Sequence, residues 1–562
     1  MSNCCLQPHA WRRWFVIVIL VALPLVLVGR ALTLQLYEGA FLQGQGDQRH
    51  LRVETLPANR GVIYDRQGEP LAISAPVHSV WANPQVLLLS DASEAITSVA
   101  GVMGLNPEVL QETLTARADR EFVYIRRHVA PEIADQVMAL EIPGLHLQRE
   151  YRRFYPAGEV TGHVLGFTDV DDQGQAGIEY AYDDWLSGVP GAKRVLRDRH
   201  GRNIEDVEAL RDARPGRDLH LSIDQRLQYI AYRELKAAVE QRSAQGGSVV
   251  LMDVRTGEIL AMVNQPAFNP NRRSDIVASR YRNRAVTDTF EPGSVAKPLA
   301  VAAAFQSGKY TPESEINTTP GYMRVAGNSV RDIRDFGALT VTGILQKSSN
   351  VGVAQMALEL EQGRHWQLLA DFGFGQVTGV NFPGEAAGHL SPVPTHRPFE
   401  VATLAFGYGL SVTTLQLARA YAAIAAEGHL PTPTLLANTP EVRGPAVLDP
   451  EVAQTLRDMM VEVTLPGGTA TQAAIPGYQV SGKTGTSRKA TAGGYSERRY
   501  VSTFAGMAPA SNPRFVAVVT IDEPDPSEYY AGPVAGPVFR ALMSDALRLY
   551  RLSPDARLER ES

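Results

Sequence analysis

The sequence has almost no cysteine. Cys4 and Cys5 are the only two among 562 residues, and they lie side by side near the N-terminus. Nothing therefore supports a disulfide framework or a cysteine metal cage. The histidines are scattered, and none follows the His-Glu-x-x-His pattern of a helical zinc site. The sequence thus implies no metal, and we expect no cofactor.

Positive charge is not in excess either. The 54 lysines and arginines stand against 60 acidic residues, which leaves a net charge of −6. No basic run alternates with aromatic residues, which is the pattern expected of a protein that binds a nucleic acid. We therefore expect no nucleic-acid partner. The length and the apolar fraction of 44% are instead typical of a chain with several units and large buried cores.

Long apolar runs are absent except for one near the N-terminus. It starts at Trp14, directly after Arg12-Arg13, and continues to Leu36 with Arg30 near its far end, which gives it membrane-spanning length. A cleaved signal peptide begins in a similar way, but this run is long and no convincing small-x-small cleavage site follows it. Because positive residues precede the run, we predict a cytoplasmic tail over residues 1–13, a transmembrane anchor over 14–36 and the remaining chain outside the cytoplasm.

Residues 37–215 are rich in charge and in turns, with Arg60-Gly61 near the start of this region and Gly177-Ile178-Glu179 further on. Arginine and glutamate at turns more often form structural ion pairs than catalytic groups, so we interpret this region as a non-catalytic pedestal domain. Its patterns predict helices at residues 94–102 and 132–140. They also predict a strand at residues 193–198 that runs into a turn at His200-Gly201.

A second domain is predicted over residues 216–550, followed by a polar tail over 551–562. Apolar patterns predict strands at 219–224, 248–253, 258–263, 504–507 and 515–521, and helices at 225–241, 412–426 and 534–548. Strands at both ends of the domain, with helices between them, indicate one sheet that is assembled from both ends and covered by helices. This is an α+β fold.

The segment Glu291-Pro292-Gly293-Ser294 precedes an Ala-rich apolar run, so Ser294 is expected at the start of a buried helix. Lys297 would share a helix face with Ser294, and Pro298 is tolerated because first-turn amides have no intrahelical partner. A serine attacks carbonyls well only when a neighbour takes its proton, and burial beside another cation favours a neutral lysine that can do so. The two residues are a candidate nucleophile and base, although Ser-x-x-Lys also arises by chance.

Two later motifs help to determine whether Ser294 is a catalytic nucleophile. Ser348-Ser349-Asn350 is a polar cluster inside apolar sequence, and Lys483-Thr484-Gly485-Thr486 follows a strand-like segment. Residues 477–484 also fit the phosphate-binding pattern G-x-x-x-x-G-K-[ST]. That pattern requires a helix directly after the lysine, whereas a strand end and a loop are predicted here. We therefore expect no nucleotide binding.

The order Ser-x-x-Lys, Ser-x-Asn, Lys-Thr-Gly resembles the penicillin-recognising serine acyltransferases. Further segments make nearly the whole chain similar to class B penicillin-binding proteins of the division (septal) type: Arg60-Gly61 in the pedestal, Arg282-Asn283-Arg284-Ala285 before the nucleophile and Tyr529-Tyr530-Ala531-Gly532 near the end. The resemblance implies the penicillin-recognising serine transpeptidase fold, an α/β sandwich with a central antiparallel sheet and helices, joined to an elongated mixed pedestal and an N-terminal transmembrane helix. Val295-Ala296 departs from the bulkier residues usual at that place.

The resemblance also implies a D-Ala-D-Ala transpeptidase with assigned roles for the candidate residues. Ser294 would attack the carbonyl between the two terminal D-alanines and release D-alanine, while Lys297 takes its proton. Ser348 would relay that proton to the leaving amine. Asn350 would hydrogen-bond the substrate amide and hold Lys297.

The strand motif has the remaining implied roles. Lys483 would supply a fixed positive charge that keeps Lys297 neutral and attracts the carboxylate of the substrate. Thr484 and Thr486 would offer hydroxyls to that carboxylate, and Gly485 would let the strand approach the peptide. The amides of Ser294 and Thr486 would form the oxyanion hole.

The implied partners are peptidoglycan stem peptides, glycan derived from a lipid-linked precursor, β-lactam antibiotics, and a membrane glycan polymerase with other division proteins. The implied location is the cell inner membrane, with the catalytic domain in the periplasm. Two alternatives stay open. A membrane-anchored scaffold or β-lactam sensor would bind without turnover, and a β-lactamase would need a base for its deacylating water, which the sequence does not reveal.

Overall fold

The computed structural model describes residues 10–38, 51–89, 92–197, 203–272, 274, 277–392, 397–441, 443–491 and 493–556. The chain divides into two compact units. The first takes its residues from the ranges 1–59, 76–151 and 188–215, and the second from 60–75, 152–187 and 216–562. Two segments that we predicted as parts of the pedestal therefore belong to the second unit. The predicted domain limits themselves stay a prediction.

The first unit begins with the apolar helix α1. Within the described residues it is the one helix long and apolar enough to cross a membrane, and an 18-residue window within its span of 26 residues from Trp11 to Leu36 has a mean hydropathy of 2.7. This span contains the predicted anchor. Most of the predicted cytoplasmic tail lies outside the described residues. The described helices of this unit are α1 (Ala10–Leu36), α2 (Pro84–Leu87), α3 (Ala92–Met103), α4 (Pro107–Thr115) and α5 (Pro131–Met138).

Helices α3 and α5 confirm the two helices predicted for the pedestal. Their apolar faces pack into a core that contains Val80, Val99, Leu114 and Val137. A strand predicted at residues 193–198 is also present, and its predicted turn lies outside the described residues. It is the middle strand of an antiparallel sheet in the order β1-β6-β7. The strands are β1 (Leu51–Leu56), β6 (Gly191–Arg197) and β7 (Asn203–Arg211).

Three further strands contribute to this unit. Strand β4 (Val123–Val129) lies entirely within it. Strands β3 (Pro70–Ala82) and β5 (Leu145–Phe154) are divided between the two units. Within the first unit β3 pairs antiparallel with β4, and His78 stands opposite Val129.

The second unit is built on a five-stranded antiparallel sheet in the order β10-β9-β19-β18-β17. Its strands are β9 (Gly246–Asp253), β10 (Ile259–Gln265), β17 (Ser481–Thr491), β18 (Gly494–Ala508) and β19 (Phe515–Asp522). Strands from both ends of the predicted domain thus meet in one sheet. This confirms the predicted α+β architecture.

Alternate residues of β9 face opposite sides of this sheet, as the two-residue period of a strand requires. Val249 and Leu251 pack into a core with α9 (Gln225–Gln241) and α19 (Ala531–Leu549). Val250 and Met252 pack into the other core. That second core contains α12 (Lys297–Gln306) and α17 (Thr414–Ala425), whose residues are buried almost all round. A sheet covered on both faces therefore positions the segment around Ser294.

Two predicted strands are wrong in length, and the one expected at residues 504–507 is part of the much longer β18 (Gly494–Ala508). The strand expected at residues 219–224 is limited to β8 (Leu219–His220). It ends early because the Asp224 side chain accepts a hydrogen bond from the Arg226 amide and caps α9. The other short strands are β2 (Ile63–Tyr64), β11 (Glu315–Asn317), β12 (Tyr322–Val325), β13 (Asn328–Arg331), β14 (Ala338–Thr340), β15 (His389–Leu390) and β16 (Leu410–Ser411).

The remaining helices of the second unit are mostly short. They are α6 (Gly162–Leu165), α7 (Gly177–Ala181), α8 (Asp183–Leu186), α10 (Ala278–Tyr281), α11 (Arg284–Thr287), α13 (Val341–Lys347), α14 (Asn350–Glu359), α15 (Arg364–Asp371), α16 (Pro398–Leu404) and α18 (Pro450–Val461). The 3₁₀ turns of the second unit include Gly158–Val160, Gly293–Ala296 and Thr471–Ala473.

Candidate active site

Ser294 lies in a 3₁₀ turn, Gly293–Ala296, that leads directly into α12. Its side chain is partly exposed, whereas Val295 and Ala296 are buried. The hydroxyl of Tyr421 donates to the Val295 carbonyl at 2.8 Å and fixes the turn to α17. Pro298 occupies the first turn of α12, as predicted. The fold thus holds a reachable hydroxyl on a rigid, buried support.

Strand β17 approaches this turn more closely than a side chain would allow. A Cβ atom on Gly485 would lie 2.7 Å from the Pro292 carbonyl oxygen and 3.0 Å from Val295 Cγ1. Such distances are below van der Waals contact, so this position requires glycine. We predicted that Gly485 lets the strand approach a bound peptide, and its close neighbour in the structure is the Ser294 turn.

Two buried lysines meet at one serine hydroxyl. Lys297 Nζ donates to Ser348 Oγ at 3.1 Å and also to the Ser348 carbonyl oxygen. Lys483 Nζ donates to the same Oγ at 2.9 Å and to the Thr484 carbonyl oxygen at 3.1 Å. Both lysines have no exposed surface. Residues that are nearly 190 positions apart in sequence therefore form one cluster around Ser348 Oγ.

Burial shifts both amines towards their neutral form. The pKa of Lys297 is well below its usual value because of burial first and the nearby charge of Lys483 second, while Asp332 opposes the shift. Burial lowers the pKa of Lys483 to about 7. We predicted a fixed charge for Lys483, whereas its environment places the titration of this amine close to neutral pH.

Ser348 occupies the left-handed backbone region, with a φ of 60°. It ends α13, and Ser349 then caps α14 by accepting a hydrogen bond from the Gly352 amide at 2.9 Å. A non-glycine residue in this region is strained and is held there only by its surroundings. In this backbone conformation the Ser348 hydroxyl accepts hydrogen bonds from both lysines.

Asp332 holds this loop in place, and sequence reasoning did not identify it. Its carboxylate accepts from Ser349 Oγ at 2.6 Å and from the amides of Asn350 and Val351 at 2.5 and 3.1 Å. A carboxylate at a helix N-terminus is favourable because the first amides have no intrahelical partner. No local pattern marks Asp332, since it lies 18 residues before the helix that it caps.

The Asn350 side chain does not share the hydroxyl cluster. Its Nδ2 donates to the Arg331 carbonyl oxygen at 2.9 Å. Among the hydrogen bonds of the described residues, Lys297 is held by Ser348 and not by Asn350. The Asn350 side chain thus lies beside the Ser348 loop, and among the described residues it makes no hydrogen bond to either lysine.

The strand motif continues within β17 beyond Lys483. A helix does not follow the lysine, so the backbone that a phosphate-binding loop requires is absent at this position of the described chain. Thr484 is buried, and its Oγ1 lies 2.7 Å from Thr469 Oγ1. Thr486 is partly exposed, and its Oγ1 accepts from the Ala531 amide at 3.2 Å. Thr486 is therefore the more accessible of the two hydroxyls.

Comparison with known proteins supplies the family. Residues 247–544 match the penicillin binding protein transpeptidase domain, and residues 55–221 match the penicillin-binding protein dimerisation domain. The peptidoglycan D,D-transpeptidase FtsI of Escherichia coli K12 is 42% identical over 96% of this chain and 91% of its own length. The probable peptidoglycan D,D-transpeptidase PbpC of Pseudomonas aeruginosa is 39% identical over 98% and 97%.

Solved structures agree with this relationship. The transpeptidase domain of Burkholderia pseudomallei penicillin-binding protein 3 is 42% identical, covers 60% of this chain and 98% of its own, and has a TM-score of 0.55. A peptidoglycan synthetase from Bifidobacterium adolescentis is 26% identical and covers 90% and 98% with a TM-score of 0.70. With both domains matched and relatives aligned over almost their full length, this chain belongs to the penicillin-binding proteins of the peptidoglycan D,D-transpeptidase family.

Proposed function

We propose that this chain is a membrane-anchored transpeptidase that cross-links peptidoglycan stem peptides during septal wall synthesis and is acylated by β-lactams. The observation that carries the proposal is the buried pair of Lys297 and Lys483 around Ser348, with the partly exposed Ser294 three residues before Lys297. A lysine that is neutral near physiological pH can act as a base for a serine. Septal synthesis is inferred from the sequence motifs shared with division-type members.

The reaction proceeds in two steps. Ser294 Oγ attacks the carbonyl carbon between the terminal D-alanines, its proton moves to Lys297, and a carbon–oxygen ester bond forms. The carbon–nitrogen bond then breaks, and Ser348 passes the proton to the departing D-alanine amine. In the second step an amine of another stem peptide attacks the ester carbonyl carbon. A new amide bond forms, the ester bond to Ser294 Oγ breaks, and a proton of the amine passes to Ser294 Oγ.

The other site residues bind and orient the substrate in this proposal. Lys483 in its charged form attracts the terminal carboxylate, with Thr486 as the accessible hydroxyl and Thr484 behind it. The Ser294 and Thr486 amides stabilise the oxyanion, for which one donor is worth about 3 to 4 kcal/mol in comparable enzymes. Asn350 hydrogen-bonds the amide of the stem peptide. The close approach of Gly485 to the Ser294 turn supports this arrangement.

The anchor and the pedestal complete the proposal. Helix α1 crosses the inner membrane once, with Arg12-Arg13 on the cytoplasmic side and the catalytic domain in the periplasm. We assign residues 37–215 to the pedestal and 216–550 to the transpeptidase domain. The partners are glycan derived from a lipid-linked precursor, a membrane glycan polymerase and other division proteins.

The test combines acylation with turnover. Intact-protein mass spectrometry after incubation with a penicillin should show one adduct per chain, which is absent in Ser294→Ala. Release of D-alanine from a pentapeptide substrate should also require Ser294. An adduct without D-alanine release would favour the scaffold or sensor, and rapid loss of the adduct with hydrolysed penicillin would favour a β-lactamase. Absence of any adduct in folded protein would refute the proposed site.

A further inference from the structure

A cavity of about 200 Å³ lies away from the candidate active site in the second unit. It is a partly open pocket lined by the end of α14, the start of α15 and one face of α16. Its walls are mostly apolar and include Leu358, Trp366, Val401 and Leu404. Along α14 the cavity is roughly 10 Å from Asn350, since a helix rises about 1.5 Å per residue.

Among the polar residues that line the cavity, Glu361 and Gln362 are exposed, whereas His365 is buried. It lines the cavity, and only 4% of its surface is exposed. Neither ring nitrogen has a hydrogen-bond partner among the described residues. Burial lowers the pKa of His365 to about 4, so the ring is neutral at physiological pH. A neutral imidazole presents one N–H donor and one nitrogen acceptor, and both are unused here.

An unused buried donor and acceptor are uncommon in a folded protein, because such groups normally find a partner. Elsewhere in this unit a buried histidine follows the rule, since His163 Nε2 bonds the Arg280 carbonyl oxygen at 2.7 Å. The Trp366 indole is also satisfied, because Nε1 donates to the Ser391 carbonyl oxygen at 2.5 Å. The imidazole of His365 thus stands out as a polar group available to a molecule in the cavity.

We propose that this cavity is a binding site for a small aromatic molecule that carries one hydroxyl, with His365 as the polar anchor. The volume suits such a ligand, since a dry apolar cavity of roughly 150 Å³ already accepts benzene. The lining fits as well, because small-molecule sites combine an apolar wall with a few placed polar groups. The binding of this ligand is independent of the function proposed for Ser294.

Phenol and toluene provide a matched pair of probes. They have the same shape, and one carries a hydroxyl where the other carries a methyl group. Toluene is the more hydrophobic, so an unspecific apolar cavity or a detergent micelle would favour it. A site with an unpaired imidazole should favour phenol, because toluene would leave the buried nitrogens without a partner.

The experiment titrates the purified full-length chain in detergent with each probe and measures the amount of bound probe by equilibrium dialysis. Dialysis against a reservoir fixes the free concentration of the probe, so partitioning into detergent cancels between variants. We expect saturable phenol binding at about millimolar concentration, as befits a ligand of this size. Phenol should bind at least about tenfold more tightly than toluene.

Two variants separate the polar anchor from the cavity. His365→Leu should reverse the preference, so that toluene binds more tightly than phenol. Val401→Phe should fill the cavity and abolish saturable binding of both probes. Penicillin acylation of Ser294 verifies that each variant is folded. If His365→Leu does not fold, the ratio of phenol affinity to toluene affinity in the parent chain tests the proposal instead. Non-saturable titration, tighter binding of toluene by the parent, or unchanged phenol affinity in folded His365→Leu would each overturn the proposal.

Discussion

Lys297 and Lys483 are both buried, and both donate to Ser348 Oγ, so a single cationic role could be claimed for either. They differ in their position relative to Ser294. Lys297 follows it by three residues in the same helical turn, whereas Lys483 reaches the cluster from β17. Proton transfer needs the near, neutral amine, and attraction of a carboxylate needs a charged one. The proposed roles are therefore separable by substitution.

Lys297→Arg should lower the acylation rate by a factor on the order of 10² to 10⁴, the usual worth of a positioned base. A guanidinium keeps the charge but stays protonated, so it cannot accept the proton of Ser294. Lys483→Arg retains the positive charge and should keep much more activity. The measurement is the second-order rate of Ser294 acylation by a penicillin, with folding checked separately. Near-parental rates in Lys297→Arg together with collapse in Lys483→Arg would reverse the two assignments.

The same amines predict a bell-shaped pH dependence of the acylation rate. The base works only when neutral, so the rate should fall as the pH falls through the lowered pKa of Lys297. The carboxylate anchor works only when charged, so the rate should also fall as the pH rises above the pKa of Lys483, about 7. Lys483→Arg stays charged and should lose the alkaline decline while keeping the acidic one. Persistence of the same alkaline decline in this variant would assign it to another group.

At the scale of elements, the site depends on how closely β17 lies against the Ser294 turn. The turn is fixed from below by Tyr421 and bonded at its start, where the Gly293 amide donates to the Gly407 carbonyl oxygen at 3.1 Å. Because these hydrogen bonds hold the Ser294 turn and β17 packs directly against it, neither segment can shift easily. Their separation is set by the absence of a side chain at Gly485.

Gly485→Ala should therefore move β17 away from the turn, because its Cβ would lie 2.7 Å from the Pro292 carbonyl oxygen. A displacement of about 1 Å can cost on the order of 10² in rate, so acylation should drop by about that factor in folded protein. Gly493→Ala is the matched control, since a Cβ there meets no atom within 4 Å. Equal acylation rates in the two variants would mean that the strand position does not limit the chemistry.

A buried ion-pair network stabilises another part of the second unit. Glu179 accepts from Arg60 Nε at 2.7 Å and from Arg153 Nε at 2.6 Å, and none of the three side chains is more than 2% exposed. Arg60 also pairs with Asp183 at 2.7 Å. We predicted that arginine and glutamate at the turns of residues 37–215 form structural ion pairs, and the pairs of Glu179 with Arg60 and Arg153 are contacts of that type. Removal of Glu179 would leave Arg153 buried without its carboxylate partner, while Arg60 would keep only Asp183.

Glu179→Ala should lower the free energy of unfolding by about 3 to 5 kcal/mol, the usual cost of breaking a buried pair. Glu400→Ala is a suitable control, because it removes an exposed pair with Arg397 and should change stability by less than about 1 kcal/mol. Denaturant unfolding of the purified chain compares the two. Folded Glu179→Ala should still be acylated by penicillin, and its failure to react would place this network in the catalytic machinery.

At the scale of the whole molecule, the proposed membrane topology rests on one apolar helix, α1. Helix α1 is fully exposed along its length in the described structure, unlike the buried core helices α12 and α17. An apolar helix without protein packing is expected to have lipid around it. We expect Arg12-Arg13 at its start to keep the N-terminus in the cytoplasm.

A reporter that is active only outside the cytoplasm should be active when fused after Ser562. Replacing Arg12 and Arg13 by glutamate should lower the active fraction, because the positive residues that set the orientation are lost. A fusion that retains residues 1–13 but lacks the apolar segment is the control, and it should be inactive. An inactive reporter on the intact chain would overturn the proposed periplasmic location.

Local patterns were enough for much of this fold. Periodicity identified α9 at its observed bounds, the β9-β10 hairpin and the last helix, because hydrophobic spacing reflects which face of an element is buried. The same reasoning failed at residues 221–224. There a cap residue, Asp224, ends the strand that an alternating pattern would have continued. Motif order likewise indicated which serine and which lysines belong together.

The interactions among the site residues became visible only in the tertiary structure. Sequence could name Lys297 and Lys483, but their shared hydroxyl, their complete burial and the lowered pKa of each arise from α12, β17 and the Ser348 loop meeting in space. Asp332 and His365 carry no motif, since one acts on a helix 18 residues away and the other is notable only for partners it lacks. Sequence spacing reports which face of a local element is buried, whereas desolvation and charge coupling depend on which distant segments the fold brings together.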